Sequence, residues 1–355
     1  MNRLILNGLI TALLISAASS AVVAQSFLLD LPLKSQYAEV SQKIGVTNIT
    51  IKYSRPLVNG RKIWDGLVPY GKVWRTGANT NTTITFSDPV TVEGKPLDRG
   101  TYGLHTIPNA DEWTIIFSKN STSWGSFTYD QVEDALRVTV KPRVGEMHDA
   151  LTFDFDALQP GSATVVLEWE KIAVPIKVTV DVHDMVRTSL NKQLRTLSRY
   201  IWISWNDAAN YLLAEKLDLD DALTYANKSI DNEDRYENEL TKASVLAALN
   251  RQSDASIAEK RALELATPLQ ANQFALELMA AKRTGEAFAV FRENAKKHPD
   301  LWFVHEGVAR MQSAQGKFED AINEMRRALA LAPDVEKEDL KVLLQRLEAK
   351  KDINM

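Results

Sequence analysis

Between about residues 37 and 182 the apolar side chains fall at every second position. Ile49, Ile51 and Tyr53 alternate with Thr50, Lys52 and Ser54, and Thr82, Ile84 and Phe86 repeat the pattern. So do Trp113, Ile115 and Phe117; Leu136, Val138 and Val140; Leu151, Phe153 and Phe155; and Val165, Leu167 and Trp169. Val174, Ile176, Val178 and Val180 share one face of a last run. A period of two sends one row of side chains inward and the other toward water, so each run predicts a half-buried strand. Turn-forming clusters such as Glu93-Gly94-Lys95-Pro96 and Gln159-Pro160-Gly161-Ser162 separate them. Many short strands with no helical pattern between them predict an all-β antiparallel sandwich or partly open barrel. Pro175 has no N–H for a ladder, which predicts that the last strand is an edge or carries a bulge.

From Tyr200 the apolar period is 3.6, the period of a helix. A pair of mostly small residues recurs seven apart: Ala222 with Ser229, Ala255 with Ala262, Ala287 with Asn294, and Ala321 with Ala328. The first members lie 33, 32 and 34 residues apart. Small residues let one helix approach its neighbours closely. The predicted second half is therefore an all-α solenoid of helical hairpins, closed by a helix from Asp334 with Leu340, Leu343, Leu344 and Leu347 on one face. The chain then divides into a β-domain at 27–182, a connecting segment at 183–199 and helical repeats at 200–350.

One stretch breaks the strand rhythm. Residues 55–79, RPLVNGRKIWDGLVPYGKVWRTGAN, are too long for a hairpin loop and too aromatic for a linker. Ile63, Trp64, Leu67, Val68, Tyr70, Val73 and Trp74 predict that it folds back over the sandwich. Loops on a rigid scaffold are where binding groups concentrate. Arg55, Arg61 and Arg75 offer planar guanidinium forks for an anion. Trp64, Tyr70 and Trp74 offer flat faces for a sugar or aromatic ring, and Asn79 offers an amide. His105, in the strand-like run TYGLHTIP, is the one histidine expected to approach this segment. The alternative for the aromatics is that they are core, and for the arginines that they pair within the fold.

Composition narrows the chemistry. The chain has no cysteine, which excludes thiolate catalysis and cysteine-ligated metals. The net charge of -4 is dispersed, giving no basic surface for nucleic acid. The five histidines form no metal-spaced motif, and no nucleophile elbow, phosphate loop or dinucleotide fingerprint occurs. The reading calls for no cofactor, no metal and no catalytic residue. Arg3, the apolar run Leu4 to Ile15 and the small residues up to Ala24 read as a cleaved signal peptide over 1–24. A periplasmic or extracellular protein is expected, with no transmembrane segment after cleavage.

Two resemblances follow from quoted residues. Ile49–Pro56 (ITIKYSRP), Val68–Asn79 (VPYGKVWRTGAN), Gly100–Pro108 (GTYGLHTIP) and Val166–Glu170 (VLEWE) resemble the domain of unknown function twenty-nine eleven, over roughly residues 33–182. That resemblance implies an exported bacterial setting ahead of a helical-repeat tail, and no mechanism. The recurring small pairs, with Gly316 at a turn and Phe291 at a large apolar position, resemble the tetratricopeptide repeat. They imply a concave surface for a protein or peptide partner. The expected function is non-enzymatic binding, with an anionic or carbohydrate ligand at the Arg55–Asn79 segment. Its alternatives are a hydrolase of extracellular polymers using His105 and an acidic residue, and an envelope assembly factor or scaffold with no small-molecule site.

Overall fold

The computed structural model describes residues 32–354. The signal-peptide reading of 1–24 lies outside the described residues. Two compact units divide between Val180 and Asp181.

Among the described residues the first unit holds ten strands: β1 (Gln36–Ile44), β2 (Thr47–Arg55), β3 (Thr83–Phe86), β4 (Val90–Val92), β5 (Lys95–Leu97), β6 (Gly100–Ile107), β7 (Trp113–Ser118), β8 (Asp134–Val140), β9 (Arg143–Gln159) and β10 (Ser162–Thr179). One sheet runs β1-β2-β3-β6-β7-β8 and the other β5-β4-β10-β9, with antiparallel pairing throughout. The sheets do not close into a barrel. The alternating residues are the core. Ile49, Ile51, Ile84, Leu104, Ile115 and Phe117 of the first sheet meet Leu151, Phe153, Val165, Leu167, Val174 and Val178 of the second.

Two strands are far longer than the sequence pattern predicts. The runs at Val165–Trp169 and Val174–Val180 are one strand, β10, which pairs with β9 through register shifts between Glu168 and Ile172. Glu170 takes φ +56° there, which breaks the alternation that sequence reading follows. Nor is β10 an edge, because it lies between β4 and β9. Its register with β9 ends at Ala173 and that with β4 covers Val178 and Thr179, so Pro175 falls between the two ladders.

Among its described residues the second unit holds ten α-helices: α1 (Val182–Gln193), α2 (Trp202–Ala214), α3 (Leu219–Asn232), α4 (Tyr236–Ala248), α5 (Gln252–Leu265), α6 (Pro268–Ala280), α7 (Thr284–Lys297), α8 (Trp302–Ala314), α9 (Phe318–Leu331) and α10 (Asp334–Glu348). The stretch 183–199, read as a connection, carries α1. Helices α2 to α9 form four antiparallel hairpins. The recurring small pairs all lie on the second helix of a hairpin and are all buried. Their two polar members have a use: Ser229 Oγ donates to the Trp202 carbonyl at 2.8 Å, and Asn294 Nδ2 to the Pro268 carbonyl at 2.9 Å. Each ties the second helix to the first residue of its hairpin partner.

Every first helix ends in the same way. Lys216, Asn250, Lys282 and Gly316 have φ of +55°, +60°, +60° and +73°. The next N–H reaches back in each case: Leu217 to Leu212, Arg251 to Leu246 and Arg283 to Leu278 at 2.8 Å, and Lys317 to Gln312 at 2.9 Å. This is a Schellman end, in which a left-handed residue turns the chain and its successor caps the helix.

Candidate functional site

The long segment is tied to both sheets. Val58 N–H donates to Asp149 O at 2.7 Å, and Leu151 N–H to Pro56 O at 3.0 Å, along β9. Trp74 and Thr106 of β6 exchange backbone hydrogen bonds of 2.8 and 2.9 Å. Between these anchors Ile63 and Val68 enter the core. Trp64 packs edge-on against Trp74, Trp113 and Trp169, and Trp74 stacks on Trp169 with centroids 5.8 Å apart. The Trp74 indole N–H donates to Gly77 O at 3.2 Å. Both rings are partly buried in a tryptophan cluster, where Trp74 spends a face on Trp169. Tyr70 is exposed.

The arginines part company. Arg55 reaches the Leu151 carbonyl at 2.8 Å and Thr152 Oγ1 at 2.6 Å. Arg61 is on the Val58 carbonyl at 3.1 Å and on the Leu57 carbonyl. Both tie loop or strand backbone. Asn79 Nδ2 donates to Ser35 O at 3.1 Å. Arg75 does none of this: among the described residues it makes no hydrogen bond and no ion pair, and its Nε is buried without an acceptor. Burial holds its pKa below the usual guanidinium value, and no neighbouring acid offsets that.

His105 and Arg75 both lie against a segment that sequence reading passed over. In register, His105, Ile116 and Arg137 lie side by side on β6, β7 and β8. They face away from the main core, since Leu104 and Phe117 face into it. The chain between β7 and β8 folds over that outer face and closes with Lys119 N–H on Glu133 O at 2.9 Å. Gly103 permits the approach: a Cβ there would lie 2.3 Å from the Asn120 carbonyl oxygen.

Beneath this cover His105 is 2% exposed. Its Nδ1 meets Ser126 Oγ at 3.1 Å and its Nε2 meets Asn81 Nδ2 at 3.3 Å. Burial pushes its pKa down to about 4, against an upward pull from Asp134, so the ring is neutral at pH 7. The imidazole is held between the Ser126 hydroxyl and the Asn81 amide. Asp134 instead binds the Tyr129 hydroxyl at 2.8 Å and Arg137 Nε at 2.6 Å. Both ring nitrogens of His105 are thus engaged without a carboxylate.

The same cover carries Trp124 and Phe127, stacked 5.9 Å apart and exposed. Between them, the ideal Cβ position of Gly125 is 3.0 Å from the Phe127 ring and 3.7 Å from Arg75 Nη1. The candidate site is therefore an unpaired guanidinium beside an exposed aromatic pair, backed by a neutral histidine. A sequence signal existed: Asn120 to Asp130 reads NSTSWGSFTYD, aromatics interleaved with hydroxyls.

Residues 35–178 match the model of a family described as a protein of unknown function, DUF2911. The matched stretch is the sheet unit almost end to end. No curated protein matches the chain. Among solved structures, the chain is similar to YrrB, a TPR protein with an unusual peptide-binding site, at 16% identity and a TM-score of 0.30, covering 47% of this chain and 90% of that one. It is also similar to the APC/C hetero-tetramer Cut9-Hcn1, at 15% identity and a TM-score of 0.31, covering 48% of this chain and 36% of that one. Both likenesses are too distant to assign a role.

Proposed function

We propose that this chain is an exported, non-enzymatic binding protein whose sheet unit holds an anionic ligand at Arg75 and whose helical hairpins dock a protein or peptide partner. One observation carries the first half. A guanidinium with a buried, unpaired Nε is an expensive arrangement unless an anion completes it. Arg55 and Arg61 of the same segment are satisfied internally, so the reading of the whole segment as the binding surface narrows to Arg75. For the second half, helical hairpins present long side-chain surfaces suited to partners. A recess of about 510 Å³ opens among α5, α6 and α7, lined by Leu263, Ala271 and Val290.

The test is thermal unfolding of the whole mature chain against sugar acids, phosphates, sulfate and carboxylates, beside Arg75→Gln. An anion at 100 times its dissociation constant stabilises a protein that binds it only when folded by about 2.7 kcal/mol. A shift present in the parent and lost in a folded Arg75→Gln protein is expected. No shift from any anion would contradict the reading. For the hairpins, binding of a peptide library that Val290→Asp fails to weaken would move the docking surface away from the recess. Export predicts an N-terminus near Gln25 in the protein recovered from its native host, and an intact Met1 would refute cleavage.

A further inference from the structure

Resting on the anion reading of Arg75, we infer that its ligand is a sugar acid: a pyranose ring that carries a carboxylate. The aromatic pair beside the guanidinium supplies the first ground. Trp124 and Phe127 lie with planes 15° apart and are 64% and 80% exposed. Trp64, Trp74, Trp113 and Trp169 are packed together inside the same unit, so the fold had room for large rings elsewhere. A flat apolar surface held in water is what the C–H face of a pyranose packs on.

Spacing supplies the second ground. The Phe127 ring and Arg75 Nη1 approach the same side of Gly125, at 3.0 and 3.7 Å from where its Cβ would stand. Gly125 has no side chain to separate them. A carboxylate on the guanidinium therefore places its own ring against the aromatic pair, which fits the short span between a hexuronate carboxylate and its ring. The third ground is the chemistry of the rim. Ser121, Thr122, Ser123 and Thr128 flank the pair along the chain, and their hydroxyls both donate and accept, as sugar hydroxyls require. A neutral sugar would leave Arg75 unpaired, and a small inorganic anion would leave the rings uncovered.

Calorimetric titration of the whole mature chain with three probes separates these ligands. D-glucuronate has ring and charge, D-gluconate has the same charge on an open chain, and methyl D-glucoside has the ring alone. Glucuronate is expected to bind about tenfold more tightly than either, a difference of about 1.4 kcal/mol. Trp124→Ala is expected to abolish the preference over gluconate while leaving the anion contribution, and Arg75→Gln to abolish binding of both acids. Circular dichroism of each variant establishes that it is folded. Equal affinity for glucuronate and gluconate, lost together in Arg75→Gln, would overturn the sugar-acid inference and leave the anion site standing. The same holds if sulfate or phosphate binds through Arg75 and glucuronate does not. Failure of every anion overturns both.

Discussion

Among the described residues Arg75 carries a charge with no partner, and that sets it apart from its neighbours. Removing an arginine usually removes hydrogen bonds. Arg55→Met should lose its two bonds to β9 and about 1–3 kcal/mol of stability. Arg75→Met keeps the apolar stem and deletes only an unsatisfied head, so the ligand-free protein should be as stable as the parent or more so. Urea denaturation of both variants checks this, and a large loss in Arg75→Met would mean that the head has a partner. His105 gives a second residue-scale prediction. Its folded pKa, about 4, lies below the ordinary histidine value of 6.5. The unfolded chain thus binds more protons between those limits, and stability should fall as pH drops from about 6.5 to about 4, by about 3 kcal/mol at most. His105→Gln should flatten that part of the profile; an unchanged profile would place the acid sensitivity elsewhere. The sequence marked Arg55, Arg61 and Arg75 alike, because residue type is all it offers. What separates them is which carbonyls the fold brings near, and Leu151 is far from Arg55 along the chain.

At the scale of elements, periodicity was legible because burial enforces it. The buried rows on β2, β3 and β10 are largely the rows that alternate in the sequence, while β7 buries Ile116 and Ser118 of its other row as well. What stayed hidden is where local geometry departs from the period. The bulged stretch of β10 around Glu170 made one strand look like two. The hairpin turns were hidden for another reason: only Gly316 announces a left-handed residue, while Lys216, Asn250 and Lys282 adopt the same conformation without a glycine. Such residues carry a steric penalty in that region. Lys216→Gly, Asn250→Gly and Lys282→Gly should each stabilise the helical unit, by about 0.5–1 kcal/mol, and Gly316→Ala should destabilise it by about as much or more. Thermal melts followed at a helical signal would decide; loss of stability in all three glycine variants would refute the shared turn. Asn294→Ala removes the tie to Pro268 and should cost about 1 kcal/mol. The cover over His105 was the least legible element, since it is fixed partly by backbone contacts that carry no residue signature: Asn81 N–H to Ser123 O, and Lys119 N–H to Glu133 O.

In the whole molecule the two units keep separate cores, one between the sheets and the others among the helices. Each unit is therefore expected to fold when produced alone. Circular dichroism of the separate pieces should give a sheet spectrum for residues 25–180 and a helical one for 181–355. The change of period near residue 182 made that division readable. The ligand chemistry was not, because it depends on a guanidinium, two rings and a histidine drawn from three parts of the chain. The central claim is that the Arg75 guanidinium awaits an anion. Its most direct measurement is the arginine Nε–H resonance of Arg75, assigned by its loss in Arg75→Gln, followed while D-glucuronate or sulfate is added to the intact protein. The account predicts an Nε–H without a hydrogen-bond acceptor before addition, and a saturable shift as an anion binds. A resonance already hydrogen-bonded in the free protein, or one that stays still while an anion binds, would contradict it.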